Sequence, residues 1–330
     1  MIDKIVIDTE KHIFETTEKI VEKLEYFKSC SLAGLDNLSE SERKELHDEF
    51  NFFLNIDLSL FSDSYPTKLF RIIVNKRLDK NNPYKLQKIT DLIGPPEKCA
   101  RMGRANGKGE GVFYAALDFS TAIWETQPDK GDFITVCEWK IKEGQKLVNH
   151  YIFHPIETNL SDESKRAYEA HLQQFTNIHQ DYRSTFIEIL KFIAEEFMKP
   201  VDREKNENYL FSSLVSSRFL QRGKDSNGFQ IESISYPSTR RDCEVTNIAI
   251  LNSLVLEKLD LVSVQIMTVG EINYDETNKT RHDLIMVSPL ITEAERFDFE
   301  NNQIHWNLKK ELEDAIRLHE ESEKLKKEGC

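Results

Sequence analysis

Three observations in the sequence predict an α+β fold. Short segments of strand character recur at 69–74, 112–116, 133–141, 246–251 and 261–269, and Val262, Val264 and Ile266 in the last of these alternate with a period of two. Segments with apolar residues at helical spacing precede, interrupt and follow them, at 9–28, 39–53, 161–199 and 307–327. A glycine-rich loop at 103–111 runs directly into one of the strands, joining loop, strand and helix in one unit.

In chain order, Ile13, Phe14, Ile20, Val21, Leu24 and Phe27 fall on one helical face. Ser39 and Glu42 form a capping-box pattern that starts a second helix, running towards Phe53. Residues 1–62 are therefore expected to be a helical N-terminal appendage. LFRIIV at 69–74 is a short apolar strand with Arg71 embedded in it, and Asn82, Pro83, Gly94, Pro95 and Pro96 mark the loop that follows. Arg104 opens the loop that carries Gly107, Gly109 and Gly111, after which Val112–Ala116 reads as a strand centred on Tyr114. Asp118 or Ser120 caps the next helical turn, which holds Glu125 and is limited by Pro128.

Further on, the helical stretch 161–199 starts at the acidic cap Ser161-Asp162-Glu163 and ends before Pro200. A helix over 209–220 and strands over 229–236, 246–251, 261–269 and 282–287 complete a core spanning 63–290. Residues 291–330 are expected to form a charged C-terminal helix.

At 330 residues the chain exceeds an average domain, which suggests a main body with appended helices. Its composition, 39% hydrophobic and 31% charged, is that of soluble protein, and no apolar run reaches the length of a membrane span. The N-terminus MIDKIVIDTEK has no signal-peptide core, so a cytoplasmic location is expected. Five scattered cysteines, Cys30, Cys99, Cys137, Cys243 and Cys330, suit reduced thiols. A net charge of −13 argues against sequence-independent grip on nucleic acid but leaves room for a local site for one small anion.

Taken singly, the chemistry-bearing residues have structural readings. An arginine in a strand is commonly ion-paired, a tyrosine in an apolar strand is core, and a serine after proline belongs to a turn. Taken in order, FRI at Arg71, GRAN at Arg104, VFYAALDFSTAIWE ending at Glu125, and ISYPSTRRDCEVTNIAI with Ser238 and Asn247 resemble the RES-domain family, named for Arg, Glu and Ser. The match runs across residues 65–275, with 21 residues from Arg104 to Glu125.

The resemblance implies an ADP-ribosyltransferase-like fold acting on NAD. Members are typically bacterial toxins held inactive by an Xre-type helix-turn-helix antitoxin; some degrade NAD by phosphorolysis or hydrolysis and others ADP-ribosylate a protein. Carried over, Glu125, Arg104 and Ser238 are the expected catalytic residues, and Arg71, Arg104, Tyr114, Ser238 and Asn247 the expected NAD-binding residues. NAD is the expected substrate, with no metal. The implied partners are inorganic phosphate and an Xre-type antitoxin, through which alone nucleic acid would be contacted; membrane is not among them and self-association stays open. Ala105 departs from the bulky residue found in many members, and the helical stretch 157–205 lengthens the gap between Glu125 and Ser238, making it a candidate to cover or regulate the site.

The residue types fit that chemistry. Cleaving the nicotinamide–ribose bond builds positive charge on the sugar, which a carboxylate such as Glu125 stabilises more in the transition state than in the ground state. A diphosphate suits the planar fork of arginine, an aromatic face can stack on nicotinamide, and a serine hydroxyl can orient the carboxylate. Other motifs fail: GRANGKGEG lacks P-loop spacing, and His150 and His154 sit in an apolar, proline-terminated segment unsuited to a helical metal pair. Two classes of function stay open, an NAD-consuming enzyme, including a macromolecular ADP-ribosyltransferase, and a catalytically inactive interaction protein.

Overall fold

The computed structural model describes residues 17–54, 61–64, 66–81, 83–95, 100–154, 161–176, 180–202, 205–221, 223, 230–238, 245–273, 284–287 and 292–307. The elements in chain order are α1 (Thr17–Ala33), α2 (Glu40–Phe53), β1 (Phe61–Ser64), β2 (Leu69–Val74), α3 (Asn75–Leu78), β3 (Val112–Ala116), α4 (Phe119–Thr126), β4 (Phe133–Ile141) and β5 (Leu147–Tyr151). They continue with α5 (Asp162–Phe175), α6 (Gln180–Met198), α7 (Leu210–Leu220), β6 (Ser233–Pro237), β7 (Thr246–Leu251), α8 (Asn252–Lys258), β8 (Leu259–Asn273), β9 (Leu284–Val287), β10 (Thr292–Asp298) and β11 (Gln303–Trp306). The fold is α+β. Among the described residues no helix is long and apolar enough to cross a membrane.

Contacts divide the chain into two compact units. The first comprises Met1–Tyr65, Pro95–Tyr114 and Gly144–Lys258. Its strands β1 and β5 pair antiparallel, β5 and β6 parallel, and β6 and β7 antiparallel. One parallel pair among antiparallel neighbours makes this a mixed sheet. On α1, Ile20, Leu24, Phe27 and Ser31 form one buried stripe at helical spacing. On α2, the expected capping box is present, with the Ser39 backbone N–H donating to Glu42 at 2.8 Å, and Leu46 and Phe50 are buried.

These two helices do not form an appendage. Phe27 and Phe50 pack edge-to-face with centroids 5.0 Å apart, and both meet Phe211 of α7, at 5.7 and 4.7 Å, while Phe192 of α6 closes the cluster. Edge-to-face rings add to the area that each phenyl buries, so α1 and α2 share one core with α6 and α7. The boundary expected near residue 62 thus follows the chain rather than the packing.

The second unit comprises Pro66–Gly94, Ala115–Glu143 and Leu259–Cys330. Here β4 pairs antiparallel with both β2 and β8, β8 pairs with β9 and β10, and β10 with β11. Helix α4 buries Ala122 and Ile123 in a cluster with Ile72, Val74, Ala116, Ile134 and Val136. A charged helix is expected over 291–330, but residues 292–298 and 303–306 form a β-hairpin instead. Its turn places Asn302 at φ 55°, a conformation asparagine tolerates, and it buries Ile304 and Trp306, whose indole donates to the Leu86 carbonyl at 2.9 Å. Residues 308–330, where the remainder of that helix is expected, lie outside the described residues, as do 9–16 of the first expected helix.

Candidate active site

GRAN is a closed turn. Gly103 and Asn106 bridge each other, the Gly103 N–H donating to the Asn106 carbonyl at 2.9 Å. The Tyr114 hydroxyl sits against it, accepting from the Ala105 N–H at 2.8 Å and donating to Asn106 Oδ1 at 2.7 Å. The Asn106 amide in turn donates to the carbonyls of Arg101 (2.8 Å) and Gly107 (2.7 Å), and the residue is 4% exposed. A Cβ on Gly103 would lie 2.6 Å from Asn106 Oδ1 and 2.9 Å from the Tyr114 hydroxyl, so this position has room for glycine only. Downstream, Glu110 accepts from the Gly107 N–H at 2.6 Å and from the Ser217 hydroxyl at 2.7 Å, tying the loop to α7. Ala105 is fully buried in the helical core, which accounts for a small residue there.

Between Gly103 and Asn106 the turn presents Arg104. Its guanidinium donates to the carbonyl of Phe197 and, at 3.0 Å, to that of Lys199, at the C-terminus of α6. Helix C-termini carry partial negative charge and unpaired carbonyls, so a cation there is favourable on both counts. The guanidinium carbon lies 5.3 Å from the centroid of the Tyr209 ring. Phe197 packs its ring 5.5 Å from that of Tyr236, the cross-strand partner of Asn247. Asn247, 4% exposed, therefore shares a sheet face with Tyr236, and the backbone N–H of fully buried Ser238 donates to the Val245 carbonyl at 2.9 Å. Arg104, Tyr114, Ser238 and Asn247 all belong to the first unit.

Arg71 and Glu125 belong to the second. Asp118, not Ser120, caps α4, accepting from the Thr121 N–H at 2.8 Å, and Gln127 ends the helix at φ 43°. With Ala122 and Ile123 turned to the core, Glu125 is exposed near the helix C-terminus. Phe70, Ile72 and Val74 face α4, so Arg71 points from the other face of β2, opposite Cys137. The Cys137 thiol is pushed up to about 12 by complete burial, with the Arg71 charge pulling the other way. Arg71 thus lies on the face of β2 away from Phe70, Ile72 and Val74, and the end of α4 that carries Glu125 reaches the β2 backbone, Thr126 donating to the Ile72 carbonyl at 3.3 Å. Cys99 and Cys243 lie outside the described residues.

Residues that sequence reasoning missed act on the expected ones. Asn106 holds Tyr114, Tyr209 covers Arg104, and Arg77 donates to the carbonyls of Thr126 (2.8 Å) and Gln127 (2.6 Å), capping the helix that carries Glu125. Asn106 lies inside the GRAN motif and could have been singled out there; helix-end carbonyls and a ring some hundred positions away leave no local signature. Among the described residues no cluster of metal-ligating side chains occurs.

The α+β fold is that of an ADP-ribosyltransferase-like domain. A family model of the RES domain matches residues 76–269, more than half of the sequence, and the chain belongs to the RES-domain family. The match spans Arg104, Tyr114, Glu125, Ser238 and Asn247, takes in the helical stretch 157–205, and begins just after Arg71. No curated protein matches the chain. Family membership carries the coarse reading, an NAD-related, toxin-like domain.

Proposed function

We propose that this chain is an NAD-consuming enzyme that cleaves the nicotinamide–ribose bond, by hydrolysis or phosphorolysis, and acts as a growth-inhibiting toxin or defence effector. One observation carries the reading: the guanidinium of Arg104 is held in place by neutral carbonyls, on a turn locked by Tyr114, and among the described residues no carboxylate pairs with it. An arginine oriented but not neutralised is suited to an anion, and the diphosphate of NAD is such an anion.

In this reading Arg104 binds the diphosphate. Glu125, exposed on α4, supplies the negative charge that offsets the oxocarbenium character of the departing ribose. Because its hydroxyl is engaged by the GRAN turn, Tyr114 contributes structure and its ring rather than a proton. Ser238 and Asn247, both buried, are assigned supporting parts, and Arg71, on the face of β2 away from Phe70, Ile72 and Val74, a lesser one. An Xre-type antitoxin is the proposed regulator.

Incubation of the purified chain with NAD, with and without inorganic phosphate, followed by mass spectrometry, tests this. Free nicotinamide with ADP-ribose indicates hydrolysis, and ADP-ribose 1″-phosphate indicates phosphorolysis. A mass gain on the protein or on an added lysate protein indicates transfer. Unchanged NAD contradicts the proposal.

A further inference from the structure

The surroundings of Arg104 include more than the resemblance assigns. Tyr209 lies in the 3-10 turn Asn206–Tyr209 that precedes α7, its ring 5.3 Å from the Arg104 guanidinium carbon. That turn is itself anchored: Asn208 accepts from the Leu35 N–H at 2.7 Å and donates to Asp36 at 2.9 Å, and Lys205 pairs with Asp36 at 2.8 Å. The opposite support is equally fixed. Ser31 of α1 donates to Glu196 at 2.5 Å, and Lys199 donates to the Ser31 hydroxyl (2.7 Å) and carbonyl (3.1 Å), so the end of α6 is bound to α1. Arg104 thus rests between a carbonyl pair on one rigid element and an aromatic face on another.

We propose that Tyr209 is a positioning residue for the reaction: stacked on the guanidinium, it fixes the plane in which Arg104 offers its remaining N–H donors to the diphosphate. This rests on the reading of Arg104 as a diphosphate ligand. Arginine has five N–H donors, and the two α6 carbonyls engage only part of them. A ring face attracts the cation without consuming a donor and without cancelling its charge, so stacking orients the fork while leaving it able to bind an anion. Neutralisation by a carboxylate would have the opposite effect, and the nearby Glu196 does not supply it. Burial, the largest influence, raises the tendency of Glu196 to stay protonated, and Arg104 is the weakest of the groups acting on it.

The test compares wild type with Tyr209→Leu, which keeps apolar bulk, and Tyr209→Phe, which keeps the ring; Tyr209→Ala serves if the leucine variant does not fold. The first readout is independent of turnover: the side-chain ¹⁵N signals of Arg104, assigned with Arg104→Lys, during titration with inorganic pyrophosphate. Restricted guanidinium rotation and a pyrophosphate response are expected in wild type and Tyr209→Phe and are expected to be lost in Tyr209→Leu. The second is kinetic: KM for NAD is expected to rise about tenfold in Tyr209→Leu, within the range of a desolvated cation–π contact, with kcat little changed because ground-state binding is what is lost. Tyr209→Phe is expected to restore it. Identical Arg104 signals in all variants overturn the proposal, and so does a leucine variant that turns NAD over faster than wild type, which would mean that the contact sequesters the arginine. If wild type leaves NAD intact, the functional reading fails, while the ¹⁵N readout still decides the role of Tyr209.

Discussion

The Tyr114 hydroxyl donates to Asn106 Oδ1 at 2.7 Å while accepting the Ala105 N–H at 2.8 Å, so one phenol closes the turn that carries Arg104. Tyr114→Phe strands both partners and is expected to cost about 1–3 kcal/mol. Asn106→Ala removes the same link from its other end. In a double-mutant cycle by urea unfolding, the two losses are expected to be clearly non-additive. Simple additivity would show that the contact contributes nothing of its own.

Gly103→Ala tests the same turn sterically. The new methyl would sit 2.6 Å from Asn106 Oδ1, inside van der Waals contact, and would force the amide or the Tyr114 hydroxyl to move. A loss of about 1–3 kcal/mol is expected, as for other overpacked positions. A variant as stable as wild type would mean that the turn yields without cost.

The helices before residue 54 are part of the fold of the first unit. Phe50→Ala empties the centre of a cluster drawn from four helices and is expected to cost about 3–5 kcal/mol. Removal of residues 1–62 should therefore expose the apolar faces of α6 and α7 and leave an aggregating product. A well-behaved, folded truncation, monitored by thermal unfolding and light scattering, would contradict the shared core.

Much of this was legible in the sequence and some was not, for a consistent reason. The Ser39–Glu42 capping box, the Asp118 cap and the strands at 69–74, 112–116 and 246–251 are local, and their residue types encode them. The placement of Arg104 against Phe197 and Lys199 depends on backbone carbonyls far along the chain, and any residue could supply those. The β10–β11 hairpin fell within the segment 291–330 expected as a charged helix, because Glu293, Glu295, Arg296 and Asp298 leave its partly exposed first strand without an apolar alternation. Arg71 was visible as a strand arginine, but which face of β2 it takes depends on where α4 packs.

Glu196 makes stability pH-dependent. Burial is the main cause that pushes its carboxyl up, with Lys199 and then Ser31 pulling it down. An acid raised in the folded state contributes stability that is fully present below its unfolded value, about 4.3 for glutamate, and is lost as pH rises through the folded value. Glu196→Gln retains an acceptor for Ser31 and removes the charge. Its melting temperature is expected to vary less than wild type's between about pH 4 and pH 8. Parallel profiles would show that another group governs the slope.

The central claim rests on a single comparison, the rate of nicotinamide release from NAD by wild type and by Glu125→Gln, each shown to be folded by circular dichroism. Glutamine keeps the shape of the side chain on α4 and removes the charge that the proposed reading sets against the developing cation. Wild type is expected to release nicotinamide, with the variant slower by about 10²-fold or more. Equal rates in the two proteins, or no release by wild type, would contradict the account.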